Sequence, residues 1–356
     1  MLLVRRGAEE LLASPDTVVG PLVGYHHETY VFPFPGDSGF RGAMWKAREP
    51  RSNLLWFDRR CFSGEEELVK VLAGRVRRVP EVIDAGCLHL QKFIEGRTLG
   101  SLYRTGRAIP HRYVSQLIDV VRDMAAVSDE SLGVGRRCSP RDRVGNGDTS
   151  GFVERLVAFA EERVYQENQA AFGGLFRGLG IDGDSFQHLR RHLSGLTERP
   201  FLLLHADLHR ENLIVDPEDR LWVIDWELAM FGDPLYDLAT HLHVTRYPRQ
   251  QADRVARLWT TAIEEVSAGA SAGRKRDLPL LCDLKRAQSV FTDVIRAALL
   301  LGSGSPPDRD VVARSARRLR RVLEAAVGPL GLSEMPTERM IATELVRWSR
   351  SYDSSL

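Results

Sequence analysis

Residues 201–239, FLLLHADLHRENLIVDPEDRLWVIDWELAMFGDPLYDLA, constrain this chain more than any other stretch. Short apolar runs flank a polar loop, and strands are expected over 201–204 and 221–224. Asp207, Asn212 and Asp225 then converge at one edge. Phosphoryl transfer needs such a trio: one carboxylate to receive or orient a substrate hydroxyl, and an amide oxygen with a second carboxylate to hold Mg²⁺ against nucleotide phosphates. Two other readings stand beside it. Asp and Asn also cap turns. His205, His209, His241 and His243 spell H-x-x-x-H and H-x-H, a possible zinc set, although no Glu follows the first His and the first pair begins at a strand end.

At 356 residues the chain is long enough for two packed units sharing a cleft, and 43% hydrophobic with 27% charged residues is an ordinary globular balance. The net charge of +1 gives no reason to expect nucleic acid or a membrane surface as partner. Cys61, Cys87, Cys138 and Cys282 form no C-x-x-C pair, which fits a reducing compartment. The first residues turn charged at Arg5, and no apolar run has membrane-spanning length, so a cytoplasmic location is expected. Only five of the 49 basic residues are lysines (46, 70, 92, 275 and 285), which makes each less readily surface decoration.

Strands are expected over 18–24 and 29–34, as a hairpin around Tyr25-His26-His27-Glu28, and again over 42–47 and 53–57. A helix opens at Ser63-Gly64-Glu65-Glu66-Glu67, its acidic turn followed by an apolar stripe of Leu68, Val71 and Leu72. Strand character returns over 80–83 and 87–94. From residue 99 the periodicity is helical. Val114, Leu117, Ile118, Val121 and Met124 share one face, and Phe152, Leu156, Phe159 and Val164 another with one phase slip. Residues 136–151 read as a loop, and 250–348 as helices broken at 302–307. The expected class is α+β, with a small β-rich lobe over 1–95 and a larger, mainly helical lobe with insertions over 96–356.

His205-x-Asp207, Asn212 five residues after Asp207, Ile224-Asp225-Trp226-Glu227 and the segment Gly232-Asp233-Pro234 with Tyr236-Asp237 together resemble the aminoglycoside phosphotransferase and choline kinase branch of the protein-kinase-like superfamily. The resemblance covers most of the chain. It implies a bilobal protein-kinase-like fold in which Asp207 is the catalytic base, Asn212 and Asp225 are Mg²⁺ ligands, His205 is a supporting core histidine, and Asp237 braces the catalytic loop. Arg210-Glu211 stands where many relatives carry Pro-Gly. The nucleotide, ATP or GTP, then lies on the N-terminal lobe. Lys46 is the expected phosphate-gripping lysine. Glu65, on one helical face with Leu68 and Leu72, is its preferred partner, with Glu66 second. No G-x-G-x-x-G is present, so backbone amides over 26–29 and the Thr29 hydroxyl are the expected phosphate contacts. Residues 90–96 resemble the interlobe connector, whose backbone at Lys92 and Ile94 is expected to meet the purine.

The acceptor is less constrained. Glu227, Asp233 and Asp293 are candidates for an acidic patch, but basic residues outnumber acidic ones over 251–356, which fits a polycation poorly. The resemblance implies a small-molecule hydroxyl acceptor. An antibiotic of aminoglycoside, nucleoside or peptide type is preferred, with resistance as the outcome. A metabolic kinase for choline, homoserine or a sugar, or an inactive kinase-like binding module, are the alternatives. Asp225-Trp226-Glu227 in place of D-F-G, and the lack of an A-P-E segment, separate the chain from protein kinases.

Overall fold

The computed structural model describes residues 17–23, 27–34, 43–51, 55–85, 88–302 and 307–352. An N-terminal β-sheet lobe precedes a mostly helical remainder, the α+β architecture of the protein-kinase-like fold. Five antiparallel strands form the first sheet: β1 (Val19–Val23), β2 (His27–Pro33), β3 (Met44–Pro50), β4 (Val82–Ala85) and β5 (Leu88–Lys92), in the order β1-β2-β3-β5-β4. Period-two alternation gives the sheet two chemically different faces. Phe32, Trp45, Ala47 and Leu90 form a buried core on one. Lys46 and Arg48 share the other, with Lys46 opposite Val31 and Gln91, and Arg48 opposite Thr29.

Between β3 and β4 runs α1 (Glu65–Leu72), which opens with three consecutive glutamates favoured at the positive end of a helix. Its buried residues are Glu65, Leu68, Val69 and Leu72, so Val69 takes the core position expected for Val71. Short β6 (Arg97–Thr98) and α2 (Leu99–Leu102) lead to α3 (His111–Ala125), which buries its whole expected stripe. After α4 (Asp129–Leu132) comes α5 (Thr149–Phe159), continued by a π-helical segment over Ala160–Gln166. The phase slip in the apolar pattern falls on this wider turn, where Glu167 N–H reaches the Glu162 carbonyl five residues back. Then follow α6 (Gln169–Gly178) and α7 (Asp184–His192).

Four short strands surround the motif region: β7 (Leu202–Leu204), β8 (Leu213–Val215), β9 (Leu221–Val223) and β10 (Met230–Gly232). The sequence indicated β7 and β9 as interruptions of the helices. Their partners complete two sheets, β7 with β10 and β6-β8-β9. The remainder is helical: α8 (Pro234–Thr245), α9 (Arg249–Val266), α10 (Arg274–Leu301), α11 (Arg309–Leu330) and α12 (Glu338–Ser351). No helix among the described residues is long and apolar enough to cross a membrane. The turn expected at 24–26, Cys87, residues 303–306 and the first two residues of the strand expected over 53–57 lie outside the described residues, while residues 55–57 form no strand, contrary to the expectation.

The described chain separates into two compact units. One draws on 1–55, 60–140 and 200–271; the other on 56–59, 141–199 and 272–356. The first contains the five-stranded sheet and the motif loops. In the second, Tyr165, Phe186 and Phe291 pack ring against ring, with Phe186 and Phe291 stacked at 4.5 Å. Arg199 and Asp277 form an ion pair there with both side chains 0% exposed, and Asp277 also accepts from Thr197 N–H at 2.8 Å. Asp277 also pairs with Arg276 at 2.7 Å, so neutralising it removes the charge that two arginines share, one of them buried. Asp277→Asn should therefore lower the stability of the second unit by about 3–5 kcal/mol, measured by urea unfolding.

Candidate active site

β7 delivers the chain to His205, whose ring is fully buried. Its Nδ1 accepts the Asp207 N–H at 3.3 Å, so the ring proton resides on Nε2, which donates to the Ile224 carbonyl at 3.1 Å. Burial lowers the imidazole pKa to about 4, which keeps it neutral. His205 thus ties the loop after β7 to the end of β9. Ala206 adopts a left-handed backbone with φ 64°, a conformation that costs an L-residue about 1–2 kcal/mol. Asp237, 2% exposed in the first turn of α8, compensates: its carboxylate accepts Ala206 N–H at 2.8 Å and His205 N–H at 3.2 Å.

Asp207 follows, partly open to solvent. Asn212 Nδ2 donates to its backbone carbonyl at 3.0 Å and to its Oδ2 at 3.3 Å. His209 Nε2 lies 3.4 Å from the same Oδ2, while its Nδ1 accepts Glu211 N–H. Burial opposes a charge on His209, but the hydrogen bond to Asp207 and the charges of Asp207, Asp225 and Glu211 raise its pKa above the ordinary value. Oδ2 is thus engaged, and Oδ1 makes no hydrogen bond among the described residues. The Asn212 side-chain oxygen makes no hydrogen bond among the described residues.

Arg210 and Glu211, in place of Pro-Gly, anchor the loop from outside. Arg210 is 4% exposed and donates to four carbonyls: Thr245 (3.0 Å), Tyr103 (2.6 Å), Arg104 (2.9 Å) and Arg107 (2.9 Å). Glu211 accepts the Thr98 hydroxyl at 2.7 Å, so close to Gly100 that a Cβ there would overlap the carboxylate.

Asp225 lies beyond β9, also left-handed with φ 67°. Desolvation, the carboxylates of Glu65 and Glu227, and more weakly Asp207, push its carboxyl up to about 7 against the opposing pull of Arg48. Ligand oxygens of Glu65, Asp225 and Glu227 all lie within 4.8 Å of one another. This all-oxygen, negatively crowded set, with the Asn212 amide oxygen on the adjoining loop, suits a hard divalent cation such as Mg²⁺. Asp225 is the member most in need of one, since Glu227 already faces Arg60 at 2.7 Å and His27 at 3.5 Å.

Glu65 is likewise taken, though not by the expected lysine. Arg48 Nη2 bonds Glu65 at 2.5 Å and Glu66 at 2.9 Å, and its Nη1 stands 3.8 Å from Asp225. Among the described residues no ion pair joins Lys46 to Glu65. Lys46 shares the sheet face with Arg48, and its amine is lowered to about 8, first by burial and then by the neighbouring guanidinium. The preference for Glu65 as Lys46's partner is therefore corrected. A planar guanidinium can bridge two adjacent carboxylates where an ammonium offers a point charge. The W-K-A-R alternation carried the signal, because a residue two beyond Lys46 must share its face. Gln91, directly across the sheet from Lys46, also went unnoticed; it is 2% exposed and neither end of its amide is hydrogen-bonded.

Other expected positions fall differently. Lys92 N–H is spent on the Glu81 carbonyl at 2.8 Å and cannot meet a base, whereas Ile94 makes no backbone hydrogen bond among the described residues. Thr29 sits on β2 opposite Arg48, and the amide at 26 lies outside the described residues. Asp233 is fully buried and caps α8 through Leu235 N–H at 2.8 Å, so it is unavailable to an acceptor. Asp293 belongs to the second unit, where Arg318 bonds it at 2.8 Å. Glu227 is held by Arg60 as described. The described histidines assemble no metal cluster. His241 is committed to the Leu208 carbonyl and the Tyr247 hydroxyl, and His205 to backbone.

Residues 50–269 match the model of the phosphotransferase enzyme family. The chain belongs to this phosphotransferase family. It is 41% identical to protein LicA of Haemophilus influenzae over 49 residues, which are 14% of this chain; it spans only 18% of that relative's length. Among solved structures, this phosphotransferase is similar to a choline/ethanolamine kinase family protein from Mesorhizobium loti, with TM-score 0.52, 15% identity, and 97% of this chain and 100% of the other covered. It is also similar to a thermostable mutant of an aminoglycoside phosphotransferase in ternary complex with AMP-PNP and hygromycin B, with TM-score 0.51, 18% identity, and 92% and 100% covered. At such identities the likeness establishes the fold alone.

The Asp237 grip should be sensitive to a one-atom change. Asp237→Asn can accept through one oxygen only and turns an amide nitrogen toward the second N–H. A stability loss of about 2–3 kcal/mol is expected in chemical denaturation, with Ala206 and Asp207 amides exchanging faster with deuterium.

Proposed function

We propose that this phosphotransferase moves the γ-phosphate of ATP or GTP, with Mg²⁺, onto a hydroxyl of a small molecule, preferably an antibiotic of aminoglycoside, nucleoside or peptide type. The observation that carries the reading is Asp207, with Oδ2 held by Asn212 and Oδ1 open, beside the carboxylate-rich loop of Asp225. In the proposed reaction Oδ1 takes the hydroxyl proton as the substrate oxygen bonds the γ-phosphorus. The bond from that phosphorus to the bridging oxygen breaks, and the nucleoside diphosphate leaves. Asp225 and Asn212 would hold the metal, which supplies charge neutralisation on the phosphates. Residues 1–95 would carry the nucleotide, with Lys46 on its phosphates and Ile94 at the base. Residues 96–356 would carry the acceptor. A cytoplasmic location agrees with four cysteines scattered through the sequence without a C-x-x-C pair.

A second reading, a metabolic kinase of a small alcohol such as choline or homoserine, gains weight from three candidate acidic residues. Glu227, Asp233 and Asp293 are each committed within the protein, which leaves those carboxylates poorly placed to recognise a polycation. The test is a phosphate-transfer assay with Mg²⁺ and ATP or GTP across antibiotics of the three types beside choline, homoserine and sugars. Asp207→Ala should reduce turnover by about 10²–10⁴-fold with nucleotide affinity retained. Transfer only to choline or homoserine would select the second reading; nucleotide binding without transfer to any acceptor would leave a binding module. Growth of a sensitive host expressing the protein, scored antibiotic by antibiotic, tests resistance directly.

A further inference from the structure

The sheet face that looks toward α1 carries two cations at alternate positions of β3, and their surroundings are opposite. Arg48 is almost fully buried, its side chain 9% exposed. One guanidinium nitrogen spans Glu65 and Glu66, the neighbouring Nη1 lies 3.8 Å from Asp225, and Nε has no partner. Lys46, two residues earlier, has no carboxylate within ion-pair reach among the described residues and faces the amide of Gln91.

We propose that Arg48 is the positioning residue that locks α1 onto β3 and orients it toward the Asp225 loop, leaving Lys46 unpaired as the cation for the nucleotide phosphates. This rests on the phosphotransferase reading given above. Its physical basis is a division of labour between two charges. A guanidinium engaged by two carboxylates carries no surplus positive charge, since the three groups together sum to −1, so Arg48 is a poor phosphate ligand. It is a good clamp: one nitrogen of its fork holds both glutamates of the first helical turn while the other reaches toward Asp225, a spread that a single ammonium cannot reproduce. Lys46, with no carboxylate in ion-pair contact among the described residues, has an ammonium that an incoming polyanion can pair without displacing a partner. Because Arg48 also reaches toward Asp225, the same side chain sets the distance between the helix carboxylate and the loop that bears the candidate metal ligand. A shift of about 1 Å there is enough to cost about 100-fold in rate.

The arrangement is tested by mutant cycles that pair Glu65→Gln with either Arg48→Met or Lys46→Met, with Arg48→Lys as the conservative control. Three readouts are taken: kcat and KM for transfer, affinity for a fluorescent nucleotide analogue without acceptor, and the urea unfolding midpoint. Arg48→Met should lower kcat about 10- to 100-fold while changing nucleotide affinity by less than about 3-fold, and Glu65→Gln should do the same. The double variant should be no worse than the poorer single one in kcat and in unfolding midpoint, the sign of coupled residues. Arg48→Lys should recover part of kcat. Lys46→Met should instead weaken the nucleotide analogue at least about 10-fold, with an effect that multiplies independently with Glu65→Gln. The proposal is overturned if Lys46 and Glu65 are the coupled pair, or if Arg48→Met weakens nucleotide as much as Lys46→Met does. If the wild-type protein transfers no phosphate, the phosphotransferase reading fails by itself. The affinity and unfolding cycles then still decide which cation holds Glu65.

Discussion

Two successive backbone amides, those of His205 and Ala206, point into the carboxylate of Asp237, and the placement of the site oxygens follows from that grip. The left-handed turn at Ala206 swings Asp207 out of the strand direction, and without the carboxylate the turn would relax toward more favourable backbone angles. Asp237 sits in the first turn of α8, where the helix dipole and the two N–H donors stand in for water around its buried carboxyl group. His205 adds the second constraint, clamping the loop to the end of β9, so that Asp207 and Asp225 are set relative to each other through one neutral ring. Asn212 adds a third, since its N–H bonds the His209 carbonyl and its own carbonyl accepts Ile224 N–H at 3.0 Å.

Charge in the site is arranged as pairs with one exception. Arg48 answers Glu65 and Glu66, and Arg60 answers Glu227. Asp225 keeps a more distant cation and an elevated carboxyl pKa of about 7. The carboxylates of Glu65, Asp225 and Glu227 therefore repel one another in the folded loop, the kind of crowding that a cation would relieve.

The α+β division was legible because it rests on local pattern: alternation over the early strands, helical periodicity later, and a phase slip that turned out to be a π-helical turn. The grouping of Asp207, Asn212 and Asp225 was legible because those residues are separated by few positions and by strands too short to carry them apart. What escaped depends on reach and competition between side chains. β8 and β10 are no shorter than β7 and β9, but each exists through pairing with a strand distant in sequence or across a turn, β10 with β7 and β8 with β6 and β9. Glu65 was recognised as inward-facing, but which cation captures it depends on side-chain length and planarity, and the longer Arg48 prevails. Lys92 was picked as a base contact from its place in the connector, yet strand pairing assigned its N–H to Glu81. Asp233 was a candidate for an acidic acceptor patch, but the Asp-Pro pair marks a helix start, and as the cap of α8 its carboxylate is spent on Leu235 N–H.

Arg210 has a consequence of a different kind. A loop stiffened by proline carries its shape within itself, and can be transplanted or can drift independently of its surroundings. Here the shape is borrowed: four carbonyls from the 103–107 turn and the end of α8 are satisfied by one guanidinium. The loop and the turn therefore depend on each other physically: moving the turn costs Arg210 its acceptors, and replacing Arg210 costs the turn its donors. A Pro-Gly loop grafted into this protein would leave those carbonyls without donors.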